Sequence, residues 1–334
     1  MAYRKLLVEN LTHDFRKATS IKTLPIPTTK QPNILIKNHY VGINASDVNF
    51  TSGKYYPGKK PPFPVGFEGV GTIVETGQPV AYLFDGAFSE YHEIPSSRVM
   101  PIPEPKPEYV GLLVSGMTAK LALDHLGGLN KDKASKVLVT AAAGGTGHIF
   151  AQLAKLENEK NLVIGTTSSD EKCEFLDRFV DVSVNLSDIQ PKSPEFDSLI
   201  KKHAPNGLDL VYESVGRDLF DACLRNLALK STMITLGYIQ GYKEDGIRSA
   251  EVTRRGGTIP VHLLMKSASL RGFFLFHYAN EWKRTFQQLY QDFLSCDFKF
   301  TTFASNFDIF AMRTCGLQKA QYPRRQRLWK YRIG

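Results

Sequence analysis

Cysteine is scarce and scattered. The chain of 334 residues carries four, Cys173, Cys223, Cys296 and Cys315, and no two stand in C-x-x-C spacing. This pattern excludes a disulfide framework and a cysteine-held structural metal, and it suits thiols kept reduced. Long apolar runs are absent too, so no segment is expected to span a bilayer. Met1-Ala2-Tyr3-Arg4-Lys5 leads into no apolar signal core, so the expected location is cytoplasmic. Peroxisome or mitochondrion is the alternative, although the chain ends Arg332-Ile333-Gly334 and not Ser-Lys-Leu. No internal repeat stands out.

Acidic charge is in deficit: 42 Lys and Arg against 33 Asp and Glu give a net charge of +9. Seven of the basic residues lie between Arg313 and Gly334, where there is no acid, and removing those seven leaves +2. The excess therefore belongs to the tail and not to a groove, which argues against nucleic acid as a partner. The length suits two domains, and an apolar share of 42% is enough for a sizeable core.

The first third reads as β-rich. Ile34 to Ile43, Gly69 to Glu75 and Val80 to Phe84 are strand-like, with turn clusters at Tyr56-Pro57-Gly58 and Pro61 to Pro64. Residues Tyr109 to Leu126 have helical spacing. Strands and helices then alternate: strands Val137 to Thr140, Leu162 to Thr166, Leu208 to Glu213 and Thr232 to Gly237, and helices Ile149 to Leu156 and Lys172 to Phe179. This alternation predicts a parallel sheet with crossover helices. Gly272 to Phe276 reads as strand-like and Glu281 to Phe293 as a helix. From Arg313 no strand pattern is visible, and a frayed, solvated end is expected.

The run Ala141-Ala142-Ala143-Gly144-Gly145-Thr146-Gly147 follows one strand and opens a helix, with Ala142 in the first glycine slot, then Gly144 and Gly147. Backbone without Cβ atoms can approach a pyrophosphate, and the helix start offers free N–H groups. A plain tight turn is the alternative. The next strand runs on through Thr167, Ser168, Ser169, Asp170, Glu171 and Lys172. Thr167 stands where an NAD site has an acid, while Ser168 and Lys172 suit a 2′-phosphate, so NADPH is the expected cofactor. Ser168 or Ser169 as a helix cap is the competing use, and Asp170 would oppose a phosphate if it faced inward.

Several motifs together resemble the medium-chain dehydrogenase/reductase superfamily, in its zinc-free branch of quinone reductases and prostaglandin reductases. They are Val41 to Asn49, Pro61 to Gly69, Leu113 to Ala119, Val137 to Gly147, Ile164 to Lys172, Val211 to Gly216 and Gly272 to Tyr278. The resemblance implies an α/β protein: a chaperonin-10-like β-barrel catalytic domain plus a doubly wound Rossmann domain, with NADPH in the cleft between them. The expected division is 1–115 for the barrel, 116–268 for the Rossmann domain, 269–312 for a return into the barrel and 313–334 for the basic tail. The implied reaction is reduction of the conjugated double bond of small-molecule enones such as 15-keto-prostaglandins. Cofactor contacts are expected from Thr118, Ala142, Gly144, Gly145, Thr146, Gly147, Thr167, Ser168, Lys172, Ser214, Gly237, Tyr238, Ile239 and Phe274.

In prostaglandin reductases the run matching Gly237-Tyr238-Ile239-Gln240-Gly241-Tyr242 ends in the candidate hydrogen-bond donor, here Tyr242; a surface-loop tyrosine is the alternative. Asn44 and Tyr55 are the further catalytic candidates, with scaffold roles as their alternatives. Asp47 reads as structural or cofactor-orienting. Phe273, Phe274, Phe276 and Tyr278 read as core packing ahead of pocket lining. Zinc-dependent relatives have Cys and His where this chain has Asn44 and Phe67, so no metal is expected. A homodimer through His262 to Phe273 would follow by analogy.

Three departures stand out. The hairpin between Val74 and Val80 looks short enough to strain the barrel. Leu186 replaces a tyrosine that contacts the 2′-phosphate in relatives. The residues from Arg313 lack the family's closing helix, cofactor contact and last strand, as a shifted reading frame would produce. The alternatives to an enone reductase are an NADPH quinone reductase and a non-catalytic Rossmann-fold binder or inactive product.

Overall fold

The computed structural model describes residues 1–242, 258–295, 302–305 and 328–332, the last two segments as backbone. Contacts divide the chain into two compact units, Met1–Val114 with Phe300–Gly334, and Ser115–Lys299.

In the first unit, β1 (Ala2–Val8) pairs antiparallel with β2 (Thr19–Pro25), and β4 (Phe63–Pro64) joins its other edge. A larger curved sheet is built on β3 (Asn33–Gly42), which pairs with β5 (Glu68–Ile73) and with β7 (Tyr91–Pro95). Next come β6 (Pro79–Leu83) and β8 (Val99–Pro101), giving the half-barrel expected of a chaperonin-10-like domain. β3 is ten residues long, so its edge away from β5 takes β7 at Asn33 to Lys37 and leaves Tyr40 to Gly42 for a further strand, while its register against β5 shifts between Asn38 and Tyr40. The interior closes on Leu6, Phe50, Tyr82, Phe88 and Ile94. Tyr82 donates its hydroxyl to Asn38 Oδ1 at 2.7 Å, and Asn38 Nδ2 donates to the carbonyls of Ala87 and Ser89, so these two buried side chains are paired.

The second unit is a six-stranded parallel sheet. Its strands are β9 (Lys136–Val139), β10 (Leu162–Thr167), β11 (Val182–Asn185), β12 (Leu208–Glu213), β13 (Leu227–Thr235) and β14 (Ser269–Gly272), in the order β11-β10-β9-β12-β13-β14. Crossover helices at Gly145–Glu157, Asp170–Leu176, Pro194–His203 and Arg217–Arg225 cover it. The near-continuous apolar runs of β9 and β12 are buried on both faces, as a central parallel strand requires. This is the doubly wound Rossmann arrangement.

The structure corrects the sequence reading at several points. Leu328–Arg332 is not frayed: it forms β16, antiparallel to β3 and parallel to β15 (Thr302–Ser305). Leu328, Trp329 and Tyr331 are residues that favour a pleated strand, and the free edge of β3 supplies their backbone partners. The rest of the basic tail lies outside the described residues. Phe273 to Phe276 is not strand, because β14 ends at Gly272 and Leu275–Tyr278 is a 3-10 turn. With β14 in the parallel sheet, residues 269–299 group with the second unit and not with the barrel. β13 begins at Leu227, five residues before the apolar run that marks it in the sequence. The short hairpin closes without strain: Gly77 takes the left-handed position (φ 73°) in open space, and Ile73 N donates to Gln78 O at 2.9 Å.

Candidate active site

The strand order reverses between β9 and β12, so the loops leaving their C-terminal ends splay apart and open a crevice there. The two ends are tied together: Thr140 N donates to Tyr212 O, and Ser214 N to Thr140 Oγ1, each at 2.9 Å. Four non-glycine residues among those described hold positive φ, and two of them, Ala141 (47°) and Arg217 (53°), lie on these loops. Such positions cost about 1–3 kcal/mol each and concentrate where function demands the geometry.

The glycine loop is closed by Gly144 N donating to Ala141 O at 2.8 Å and Ala142 N donating to Thr166 O at 2.9 Å. A Cβ on Gly147 would stand 2.6 Å from Ala141 O, so only glycine lets the helix start this close to the turn. Alanine is tolerated in the first slot for a visible reason. Gly165 on β10 faces it, and a Cβ there would come within 2.9 Å of the Ala142 methyl. The helix Gly145–Glu157 has no side-chain cap, and Gly144 is exposed with Gly145 and Thr146 half-buried. Its first N–H groups have no partners within the helix, so backbone and dipole present a site that fits a diphosphate. Thr146 shares a hydrogen bond with Tyr212, which joins the loop to the end of β12.

At the end of the neighbouring β10, Lys172 donates Nζ to Ser168 Oγ at 2.6 Å. Burial lowers the Lys172 ammonium from its ordinary range, with Glu171 opposing. Asp170 turns away, its Oδ1 accepting from Asn185 Nδ2 at 2.8 Å. Ser169 holds the cap position without a capping bond. Thr167 is buried and Ser168 exposed. Leu186, in the expected tyrosine slot, donates its N–H to Thr167 O, and its side chain packs against the core.

Across the crevice, Ile239 N and Gln240 N donate to the carbonyls of Ser214 and Val215, each at 3.1 Å. The Tyr238 ring lies against Gly216 and Gly241, where any Cβ would overlap it. Tyr242 places its hydroxyl 3.1 Å from the Cβ position of Gly237. The structure therefore brings Ala142 to Gly147, Ser214 and Gly237 to Tyr242 around one crevice. Thr118 begins the separate helix Thr118–Ala122. Phe274 packs beside Phe276 and His277, with ring centroids 5.5 and 5.2 Å away. Phe273 stacks on Tyr278 at 4.8 Å and Phe276 meets Trp282 edge-on, so this aromatic run packs largely on itself.

In the first unit, Asn44 is held twice. Its backbone N donates to Asp47 Oδ2 at 2.8 Å, and its side-chain Nδ2 donates to Glu68 Oε1 at 2.9 Å. Glu68 also accepts from Val114 N at 2.7 Å. That N–H is released because the helical run breaks at Leu113 (ψ −108°). Asp47 is fully buried, and its carboxyl is pushed well above the usual range by burial, opposed by the Asn44 N–H and aided by the Glu68 charge. Tyr55 is half-buried on the loop after the helix Ser46–Thr51.

The donor set does not suit zinc. The Asn44 amide is committed to Glu68, and the buried Phe67 ring packs edge-on against Phe50 at 4.9 Å. Among the described residues no group of three or more His, Cys, Asp or Glu side chains could hold a metal ion. No helix among them is long and apolar enough to cross a membrane.

Sequence reasoning missed the roles of Thr140, Tyr212, Glu213 and Glu68. All four stand inside motifs that carry the family resemblance, and only the folded chain reveals what their side chains touch.

The chain matches two family models, the alcohol dehydrogenase GroES-like domain over residues 30–83 and the zinc-binding dehydrogenase over residues 145–291. It is 43% identical to prostaglandin reductase-3 of Mus musculus over 298 residues, covering 86% of this chain and 76% of that protein. It is 25% identical to the NADP(+)-dependent 2-alkenal reductase of Nicotiana tabacum, covering 82% of each. The crystal structure of CurA from Vibrio vulnificus in complex with NADPH superposes with a TM-score of 0.79 at 18% identity, covering 99% of each chain. The half-barrel, the parallel six-stranded sheet and these matches place the chain in the medium-chain dehydrogenase/reductase family.

Proposed function

We propose that this chain is an NADPH-dependent oxidoreductase that reduces the conjugated C=C bond of enones, 15-keto-prostaglandins among them, without a metal. The observation that carries the reading is the pairing of an uncapped glycine-loop helix start with the Lys172–Ser168 contact at the next strand end. The first suits a diphosphate and the second a 2′-phosphate, together the polar signature of NADPH. The names of the relatives, prostaglandin reductase-3 and NADP(+)-dependent 2-alkenal reductase, support the substrate class.

When bound, NADPH would supply a hydride for the β-carbon of the enone, and solvent would supply the proton that the α-carbon takes up as the enolate charge on the carbonyl oxygen is discharged. The residues of this chain then have two tasks. The Tyr242 phenol donates a hydrogen bond to that oxygen, a contribution worth about 3 kcal/mol in comparable oxyanion sites. Its hydroxyl stands against Gly237, and the neighbouring Tyr238 ring is held between Gly216 and Gly241. Asn44, its amide committed to Glu68, keeps its side-chain oxygen as an acceptor for a polar group of the substrate. Tyr55 is assigned as a second substrate contact.

A substrate panel with purified protein tests the reading. Oxidation of NADPH by alkenals and keto-prostaglandins is expected, and Tyr242→Phe should lower kcat by roughly a hundredfold. Turnover of quinones alone would overturn the enone assignment in favour of a quinone reductase, and no binding of NADPH would overturn both.

A further inference from the structure

We propose that Glu213 is a positioning residue whose ionised carboxylate fastens the loop Ser214 to Arg217 against the loop Tyr238 to Tyr242, so that its protonation loosens the cofactor site. The proposal deepens the NADPH reading above and rests on it.

Glu213 is the last residue of β12 and stands at the crevice. Its Oε1 accepts from Val215 N and from Gly216 N, both at 2.8 Å. A single oxygen thus holds the turn in which Gly216 (φ 87°) and Arg217 (φ 53°) take left-handed backbone. The same turn offers the Ser214 and Val215 carbonyls to Ile239 N and Gln240 N, and Gly216 abuts the Tyr238 ring. From the Glu213 oxygen to the Tyr242 phenol the path is a run of hydrogen bonds and ring contacts. It carries the four cofactor candidates Ser214, Gly237, Tyr238 and Ile239 along its length.

The other oxygen, Oε2, is buried and has no hydrogen-bond partner among the described residues. An unpartnered, desolvated carboxylate oxygen is a costly ornament for a scaffold, and a ready seat for a proton. Burial, only partly offset by the two N–H bonds, raises this carboxyl to about 7. The titratable or charged groups on the elements around it are Asp209 and the Tyr212 phenol on its own strand, Arg217, Asp218, Asp221, Cys223 and Arg225 on the helix that follows, and Lys136 and Lys230 on the paired strands β9 and β13. The Tyr242 phenol stands on the facing loop. Burial raises Tyr212 and Cys223 as well, so both stay neutral at pH 7 and neither adds a second negative charge. Ionised, Glu213 makes two charge-assisted bonds, roughly twice as strong as neutral ones. Protonated, it keeps only a carbonyl's hold on the turn.

The experiment is a fluorescence titration of the full chain with NADPH, without substrate, from about pH 5.5 to about pH 8.5. It compares wild type with Glu213→Gln and Glu213→Ala. Dividing wild-type affinity by that of Glu213→Gln at each pH cancels the titration of the nucleotide itself. The ratio should fall about fivefold as the pH drops through 7, since glutamine keeps the acceptor and loses the proton site. Glu213→Ala should bind about tenfold more weakly than wild type at the alkaline end. A ratio that stays flat across the range, or wild-type affinity in Glu213→Ala, would overturn the proposal. If the alanine variant does not fold, the glutamine ratio decides alone. Because no turnover is measured, failure of Tyr242→Phe to slow the reaction would remove the donor role and leave this result standing.

Discussion

Asn44 Nδ2 lies 2.9 Å from Glu68 Oε1, a contact across 24 residues of sequence that sets which way the amide faces. Gly42 makes room for it: a Cβ there would run into the Glu68 carboxylate. Glu68 is buried and its second oxygen is taken by Val114 N.

Replacing Glu68 by Ala should therefore strand two half-buried donors. The expected loss of stability is about 1–3 kcal/mol, read by urea unfolding at neutral pH. Glu68→Gln should cost less in stability, because one acceptor survives. It should still lower kcat/KM, because its NH2 group faces one of the two donors. Wild-type kcat/KM in Glu68→Gln would count against Asn44 as a substrate contact.

Lys172→Met removes the cation beside Ser168 and keeps the aliphatic stem. NADPH affinity should drop roughly ten- to hundredfold while NADH affinity stays within about twofold, since a charged hydrogen bond is worth about 1.5–3 kcal/mol. Parallel fluorescence titrations with both nucleotides check this, and an equal loss for the two would refute a 2′-phosphate role.

Gly147→Ala places a methyl 2.6 Å from Ala141 O and 2.8 Å from Ala142 Cα, both backbone. The helix start must shift to admit it, at about 1–3 kcal/mol. The expected result is NADPH binding weakened at least fivefold, with the far-ultraviolet spectrum retained. Gly77→Ala is the matching control for general loss of the fold. Its Cβ would meet open space, so it should cost only the strain of a left-handed alanine and leave NADPH binding unchanged.

Glu213 also leaves a mark on stability. Its carboxyl moves from 4.5 to about 7 on folding. Between those values the folded chain holds a proton that the unfolded chain has released, so this group favours folding at low pH. Its contribution fades as the pH rises towards 7 and is gone above it. The total is on the order of 3 kcal/mol. Denaturant midpoints measured from pH 5 to 8 should show that downward slope in wild type and a shallower one in Glu213→Gln. Identical slopes would contradict it.

Much of this was legible before any coordinates. The glycine loop declares itself because its signal is local: a strand, three glycines in four residues, then a helix. The choice of Ser168 and Lys172 over an acid is equally local. What stayed hidden depends on partners distant in sequence. The strand at Leu328–Arg332 exists by pairing with Tyr40 to Gly42, nearly the whole chain away. The run Phe273 to Phe276 has strand-forming residues but leaves the sheet after Gly272, where its rings find one another. Where the Asp170 carboxylate turns is hidden too, because it is set by its bond to Asn185, a residue on the next strand.

By itself the sequence determined the alternation of strands and helices, the place of the glycine loop and the residue types at the second strand's end. Each of these rests on backbone freedom and residue type within a dozen neighbours. Tertiary structure alone decided that Glu68 orients Asn44, that Gly165 admits Ala142, and that Glu213 grips one loop while leaving an oxygen dry. Those are facts of desolvation and close approach, and such facts arise only when segments remote along the chain exclude water from between them.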